Sequence, residues 1–141
     1  MLDIPLSARH SERRLVTPEI AIDFLGPESA RVLSTPSLIG LFEMACRNLL
    51  RHFLPPGSDS VGAWVEVRHL APTPLGMEVT LEVEIIGVDG RRVRFRLEAS
   101  DEREKIAEGS HERVVIDVER FASRVQQKAS SSKAESLPEG L

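Results

Sequence analysis

Apolar positions along this chain fall into two rhythms. From Ser34 to Leu54 they recur at helical spacing: at about 100° per residue, Leu38, Phe42, Ala45, Cys46, Leu49 and Phe53 share one face. Ile39 and Leu50 lie at its edge, and Arg47 and Arg51 lie opposite. Thr35 is placed to cap this helix with its hydroxyl. Pro36 suits the first helical position, where no N–H is needed, and Pro55-Pro56-Gly57 stops the run. Glu43 falls at the border of the apolar stripe, beside Ile39 and Leu50. The pattern predicts one long buried helix, and a carboxylate at its border calls for a reason.

Elsewhere the period is two, which marks half-buried strands. Val61, Ala63, Val65, Val67 and His69 alternate with Gly62, Trp64, Glu66 and Arg68, so His69 points with the apolar set. Val79, Leu81, Val83 and Ile85 form the face of a second strand, and Val93, Phe95, Leu97 and Ala99 that of a third. A three-residue loop, Val88 to Gly90, is expected between them. It sets Ile85 opposite Val93 and Val83 opposite Phe95, with Glu84 facing Arg94 and Glu82 facing Arg96, whereas an Asp89-Gly90 turn would set apolar residues against charges. Asp101 to Glu104 reads as a charged turn. Lys105 to Asp117 reads as a last strand with Ala107, Gly109, His111, Arg113 and Val115 on one face, the first two small enough to admit a helix closely. Before the helix, Arg14–Thr17 and Ile20–Ile22 are β-prone pieces split by Pro18, which favours an edge or a break. A short helix is expected over 118–129. Residues 1–11 and 129–141 read as flexible flanks of a single domain over 12–128. The predicted class is α+β, an antiparallel sheet curled around one long central helix. Its exposed sheet edges could pair two copies.

The 141 residues suffice for one domain with a proper core. A net charge of −4 argues against general affinity for nucleic acid or anionic membrane, and no apolar run reaches spanning length. A single cysteine, Cys46, excludes an internal disulfide and offers no metal-ligand spacing. With no secretory segment evident, a cytoplasmic location is expected.

Four stretches together carry a resemblance. They are Thr35-Pro36, Ile39-Gly40-Leu41-Phe42-Glu43, the run Val67 to Gly76, and Glu108-Gly109-Ser110-His111-Glu112-Arg113. In order and spacing, across roughly Leu15 to Arg124, they resemble the hot-dog-fold thioesterases, in the fluoroacetyl-CoA thioesterase-like branch. The resemblance implies a helix wrapped by an antiparallel sheet and dimerisation through a continuous sheet. It also implies active sites at the dimer interface and hydrolysis of acyl-CoA thioesters without metal or organic cofactor. It further implies Thr35, Glu43 and His69 as the catalytic set, Gly62 as a backbone donor to the thioester carbonyl, and Arg113 beside the site or the dimer seam. The bulky aromatic with which some members gate the acyl pocket is not evident between Phe24 and Ser34, so the resemblance leaves the acyl group open.

Thioester hydrolysis needs an attacking oxygen, a proton acceptor and donors for the developing oxyanion. Glu43 and His69 could activate Thr35 or a water, while Gly62 and the free amides of the helix start hold the oxygen. Each residue also has a duller role. Thr35 could be only a cap, Glu43 a partner of Arg47 at i,i+4, His69 a paired core histidine, Gly62 a bulge, and Arg113 one half of an ion pair. Cys46 reads as inert core, and His52 and His111 as surface or structural. Arg47, Arg51, Arg91 and Arg92 are candidates for the CoA phosphates. Competing readings on the same scaffold are a non-catalytic acyl-CoA or acyl-carrier binding or sensor protein, and an enoyl-thioester hydratase. The hydratase's usual Asp-x-x-x-x-His arrangement is not found.

Overall fold

The computed structural model describes residues 2–135. Its elements run β1 (Arg9–Leu15), α1 (Thr35–Arg51), β2 (Ser58–His69), β3 (Glu78–Asp89), β4 (Arg92–Ser100), β5 (Lys105–Asp117) and α2 (Val118–Glu135), with short 3-10 turns at Pro18–Ile20 and Glu28–Ala30. All strand pairs are antiparallel, in the order β1-β3-β4-β5-β2. One apolar cluster holds the sheet against α1. It includes Leu38, Phe42, Ala45, Cys46, Leu49 and Leu50 from the helix, and the expected inward faces of β3 and β4. Leu50, placed at the stripe's edge by the periodicity, is fully buried. The helix stops at Arg51, short of Leu54, so Phe53 packs only partly on the core.

Several local expectations are corrected. The cap of α1 is Ser34, whose extended backbone lets its Oγ accept from the Ser37 amide at 3.2 Å; Thr35 is already the first helical residue. The β3–β4 loop is a two-residue turn, Gly90-Arg91, closed by the Asp89–Arg92 pair, with Gly90 at φ +62°. A bulge at Ile86, not a longer loop, restores matching of apolar faces. Ile85 then pairs with Phe95, Val83 with Leu97, and Glu84 with Arg96, to which it is also ion-paired.

In β2 the register to β5 slips between Gly62 and Trp64. Ala63 is the extra residue, so Ser60 and Gly62, not Val61 and Ala63, share the inward face with Val65, Val67 and His69. Of the two β-prone pieces before α1, Pro18 opens a 3-10 turn, and residues 20–22 contribute only an isolated bridge, Ala21 to Leu33.

The flanks also differ from expectation. Ile4 is buried in the core and Arg9–Ser11 open β1, because β3 offers seven residues for pairing, Glu78 to Glu84. The C-terminal helix runs on to Glu135, through residues 129–135 of the expected flexible tail; 136–141 lie outside the described residues, as does Met1. No helix among the described residues is long and apolar enough to cross a membrane.

Gly109 serves sheet packing, not helix approach. A Cβ there would collide with the Glu66 carbonyl of β2 and sit 3.0 Å from Val67 Cα. Backbone cannot yield as a side-chain tip can. Gly109→Ala is therefore expected to cost about 1–3 kcal/mol through overpacking. Urea denaturation reads this directly, and an unchanged midpoint would contradict the packing assigned to β2 and β5.

Candidate active site

The sequence-derived candidates separate into two clusters within one chain. At the start of α1, Thr35 Oγ1 lies 2.7 Å from His69 Nδ1, at the end of β2. Either the hydroxyl donates to Nδ1, or Nδ1–H donates to the hydroxyl; in the first arrangement the imidazole is a base aimed at Thr35. Burial holds the His69 pKa below its ordinary value, so the ring is neutral near pH 7 and able to take a proton. Its Nε2 is buried and has no hydrogen-bond partner among the described residues.

Glu43 is two turns further along α1, about 12 Å by helical rise, and belongs to the second cluster. It faces the start of β2, where Gly62 abuts its carboxylate so closely that a Cβ at 62 would strike the carboxylate oxygen. The carboxylate is not paired with Arg47, which is clamped by Asp59 at 2.7 and 3.0 Å. Instead its Oε2 lies 3.5 Å from Arg113 Nη1. The Glu43 side chain is 46% exposed, so a carboxylate desolvated against apolar neighbours is not what the fold provides.

Arg113 is 3% exposed, and its donors are spent within the chain. Nε donates to Ser60 Oγ at 2.7 Å, Nη2 to Ser60 O at 2.8 Å, and Nη1 faces His111 Nε2 at 3.2 Å and Glu43. His111, read from sequence as surface or structural, is 3% exposed and lines the same cleft as Glu43 and Gly62. That cleft is about 360 Å³, with Ile39, Trp64 and Val65 among its walls; Thr35 and His69 do not line it. Three of the arginines considered for phosphate are also engaged: Arg47 on Asp59, Arg91 on the Val115 carbonyl and Arg92 on Glu112. Burial pushes the Cys46 thiol pKa up, in keeping with inert core. Among the described residues no cluster of three His, Cys, Asp or Glu side chains could hold a metal ion.

A five-stranded antiparallel sheet packed on one long helix has known counterparts. Residues 16–119 match the family of fluoroacetyl-CoA-specific thioesterases. The chain belongs to that family. A fluoroacetyl-CoA thioesterase of Streptantibioticus cattleyicolor is 38% identical over 120 residues, covering 81% of this chain and 86% of that protein. A solved structure of the fluoroacetyl-CoA thioesterase FlK superposes with a TM-score of 0.81 at 36% identity, over 89% of this chain and 98% of that one. A thioesterase-superfamily protein of Thermus thermophilus gives 0.86 at 30% identity, over 96% and 100%. A hot-dog-like protein of Thermanaerovibrio acidaminovorans gives 0.80 at 29%, over 88% and 92%. The fold is thus the hot-dog fold, and the family is one of thioester hydrolases.

Local sequence signals could locate Thr35, Glu43 and His69, since helical and strand periods place each on a face. They place His111 and Arg113 on one face of β5 but could not show His111 as part of the cleft, because its contact with Trp64 and the approach of Gly62 are set by the β2 bulge and the β2–β5 register. His111 also titrates below the ordinary histidine value of 6.5, through burial first and the neighbouring Arg113 cation after it. For both His69 and His111 the unfolded chain binds the proton more tightly. Their contribution to stability is therefore fully present above about pH 6.5 and is lost as pH falls through the lower folded-state values. Calorimetric melting temperatures are expected to drop from pH 7 to pH 5, and the double variant His69→Asn/His111→Asn to flatten that drop. Rising stability on acidification over this range would contradict two neutral imidazoles, His111 buried and His69 half-buried.

Proposed function

We propose that this protein hydrolyses a small or short-chain acyl-CoA thioester to the free acid and CoA, as a homodimer or dimer of dimers whose sites are completed across paired β2 edges. The reading is supported by the family, in which FlK has been solved with fluoroacetate and CoA bound. It is carried by one geometric observation: the Thr35–His69 bond stands at one end of an edge strand, and Glu43 with Gly62 at the other. Six residues of β-strand, Ala63 to Arg68, separate His69 from Gly62, roughly 20 Å, too far for one chain to bring the groups onto one thioester. With Ala63 as the extra residue, antiparallel pairing of two β2 strands about a twofold at Glu66 keeps inward faces together and sets each His69 opposite the partner's Gly62–Ala63 bulge.

The two sheet edges differ in what they present. β1 reads Arg-His-Ser-Glu-Arg-Arg-Leu, charges that discourage strand addition. β2 carries the uncharged run Val61-Gly62-Ala63-Trp64-Val65, with Trp64 and Val65 about 40% exposed. The second edge is the one suited to a second copy.

In such a site one oxygen, the Thr35 hydroxyl or a water beside it, attacks the thioester carbonyl carbon as its proton passes to neutral His69 or to the partner's Glu43; where Thr35 attacks, a water then cleaves the acyl-threonine ester by the same proton transfer. The partner's Gly62 amide and the free amides of the α1 start stabilise the oxyanion of the tetrahedral intermediate. Collapse breaks the C–S bond, and the protonated base returns its proton to the departing CoA sulfur. We place this chemistry in the cytoplasm, in keeping with a lone buried cysteine that needs no oxidising compartment.

A panel of acyl-CoAs with a thiol-trapping dye tests the reaction. Thiol release is expected, falling about 10²-fold or more in Glu43→Gln. Tight binding without release would make the protein a non-catalytic acyl-CoA binder, and loss of enoyl absorbance without thiol a hydratase. Shared sites are tested by mixing inactive chains: His69→Ala co-expressed with Glu43→Gln should restore roughly half the sites of each mixed dimer. No recovery in isolated mixed dimers would return all the groups to one chain.

A further inference from the structure

The buried His111 has two polar neighbours, and neither leaves a choice of proton. Its Nδ1 lies 2.8 Å from the Trp64 carbonyl, which can only accept. Its Nε2 lies 3.2 Å from Arg113 Nη1, which can only donate. One protonation state satisfies both: a neutral ring with the proton on Nδ1 and the lone pair on Nε2. The charged groups facing the ring are Arg113 and Glu43, with Glu112 next in sequence, and Phe95 stacks at 6.1 Å between ring centres on the sheet side. The ring edge nearest the cleft is Cε1, 3.2 Å from where a Cβ on Gly62 would stand.

The two bonds link two features of the cleft. Trp64 is the first residue past the bulge that turns Gly62 inward. Arg113 Nη1 is the cation that faces the Glu43 carboxylate. We infer that His111 is a positioning residue that pins the β2 bulge with one nitrogen and orients Arg113 toward Glu43 with the other. The inference rests on the reading of Glu43 and Gly62 as half of the thioesterase site. It assigns His111 no contact with the reacting atoms: it fixes where the carboxylate and the Gly62 amide stand.

Asn and Gln separate the two bonds. The Nδ2 of His111→Asn can replace Nδ1–H toward Trp64, but its Oδ1 falls short of Arg113, while the longer Gln can carry its oxygen there. With a thioester that the wild-type chain hydrolyses, His111→Asn is expected to lower kcat about 10–100-fold, the usual cost of losing an orienting partner, with KM within about threefold. His111→Gln is expected to recover part of kcat. The second arm is nitrogen NMR of the imidazole in the wild-type protein at neutral pH, where Nδ1 should be protonated and Nε2 bare. An Nε2–H ring or an imidazolium overturns the inference, as does His111→Asn with full kcat. A chain that cleaves no thioester sinks the functional reading alone, because the ring nitrogens report on His111 without turnover or a folded variant.

Discussion

A guanidinium buried beneath a helix constrains this fold more tightly than any apolar contact. Arg113 is turned toward α1 by the alternation of β5, on the face that carries Ala107, Gly109, His111 and Val115. A charge taken from water costs several kcal/mol unless its bonds are replaced. Ser60 supplies two oxygens, His111 a lone pair and Glu43 a countercharge. Those partners come from β2, β5 and α1, so satisfying one cation fixes three elements relative to one another. The polar half of the cleft is a consequence: Glu43 stands where it supplies the countercharge that Arg113 needs.

The same alternation explains why a single chain holds its chemical groups apart. β2 is a twelve-residue strand at the sheet edge, and α1 runs alongside it. The Thr35–His69 contact ties the start of the helix to the end of the strand. The Glu43–Gly62 approach ties the helix two turns on to the strand's beginning. In the proposed dimer, a twofold operation across that edge would exchange the two ends and so gather both sets of groups at one point. The opposite edge, with its charged β1 and the contacts of Glu12 to His10, Arg14 and Asn48, is built to remain unpaired.

How far the sequence was legible follows from the range of the interactions involved. The apolar face of α1, the inward faces of β3 and β4 and the whole of β5 were readable, because period and burial are local properties repeated over many residues. The β3–β4 register is not legible locally, because a single extra residue at Ile86 shifts the pairing, and bulges leave little trace in composition. The same holds at Ala63, where an apparently unbroken alternation in fact changes phase. Thr35 and Ser34 are both competent caps, and only the backbone angles decide that Ser34 takes the role and leaves the Thr35 hydroxyl to His69. Glu43 was legible as an anomaly, yet not its partner: the i,i+4 arginine was nearer in sequence, while the one in contact lies seventy residues away.

Two glycines on neighbouring strands show how the site differs from its scaffold. Both stand where a Cβ would clash, but against different matter. At Gly109 the obstacle is the backbone of β2, which cannot move without tearing the sheet, so the glycine is a condition of folding. At Gly62 the nearest obstacles are the Glu43 carboxylate and, at 3.2 Å, the His111 ring edge. A carboxylate on a flexible stem can swing aside, so the sheet would tolerate a larger residue there. What it would not preserve is the place of the carboxylate. Gly62 therefore guards geometry more than stability. Its lack of a side chain lets an acid, an imidazole and a strand amide occupy a space that would otherwise hold a methyl group.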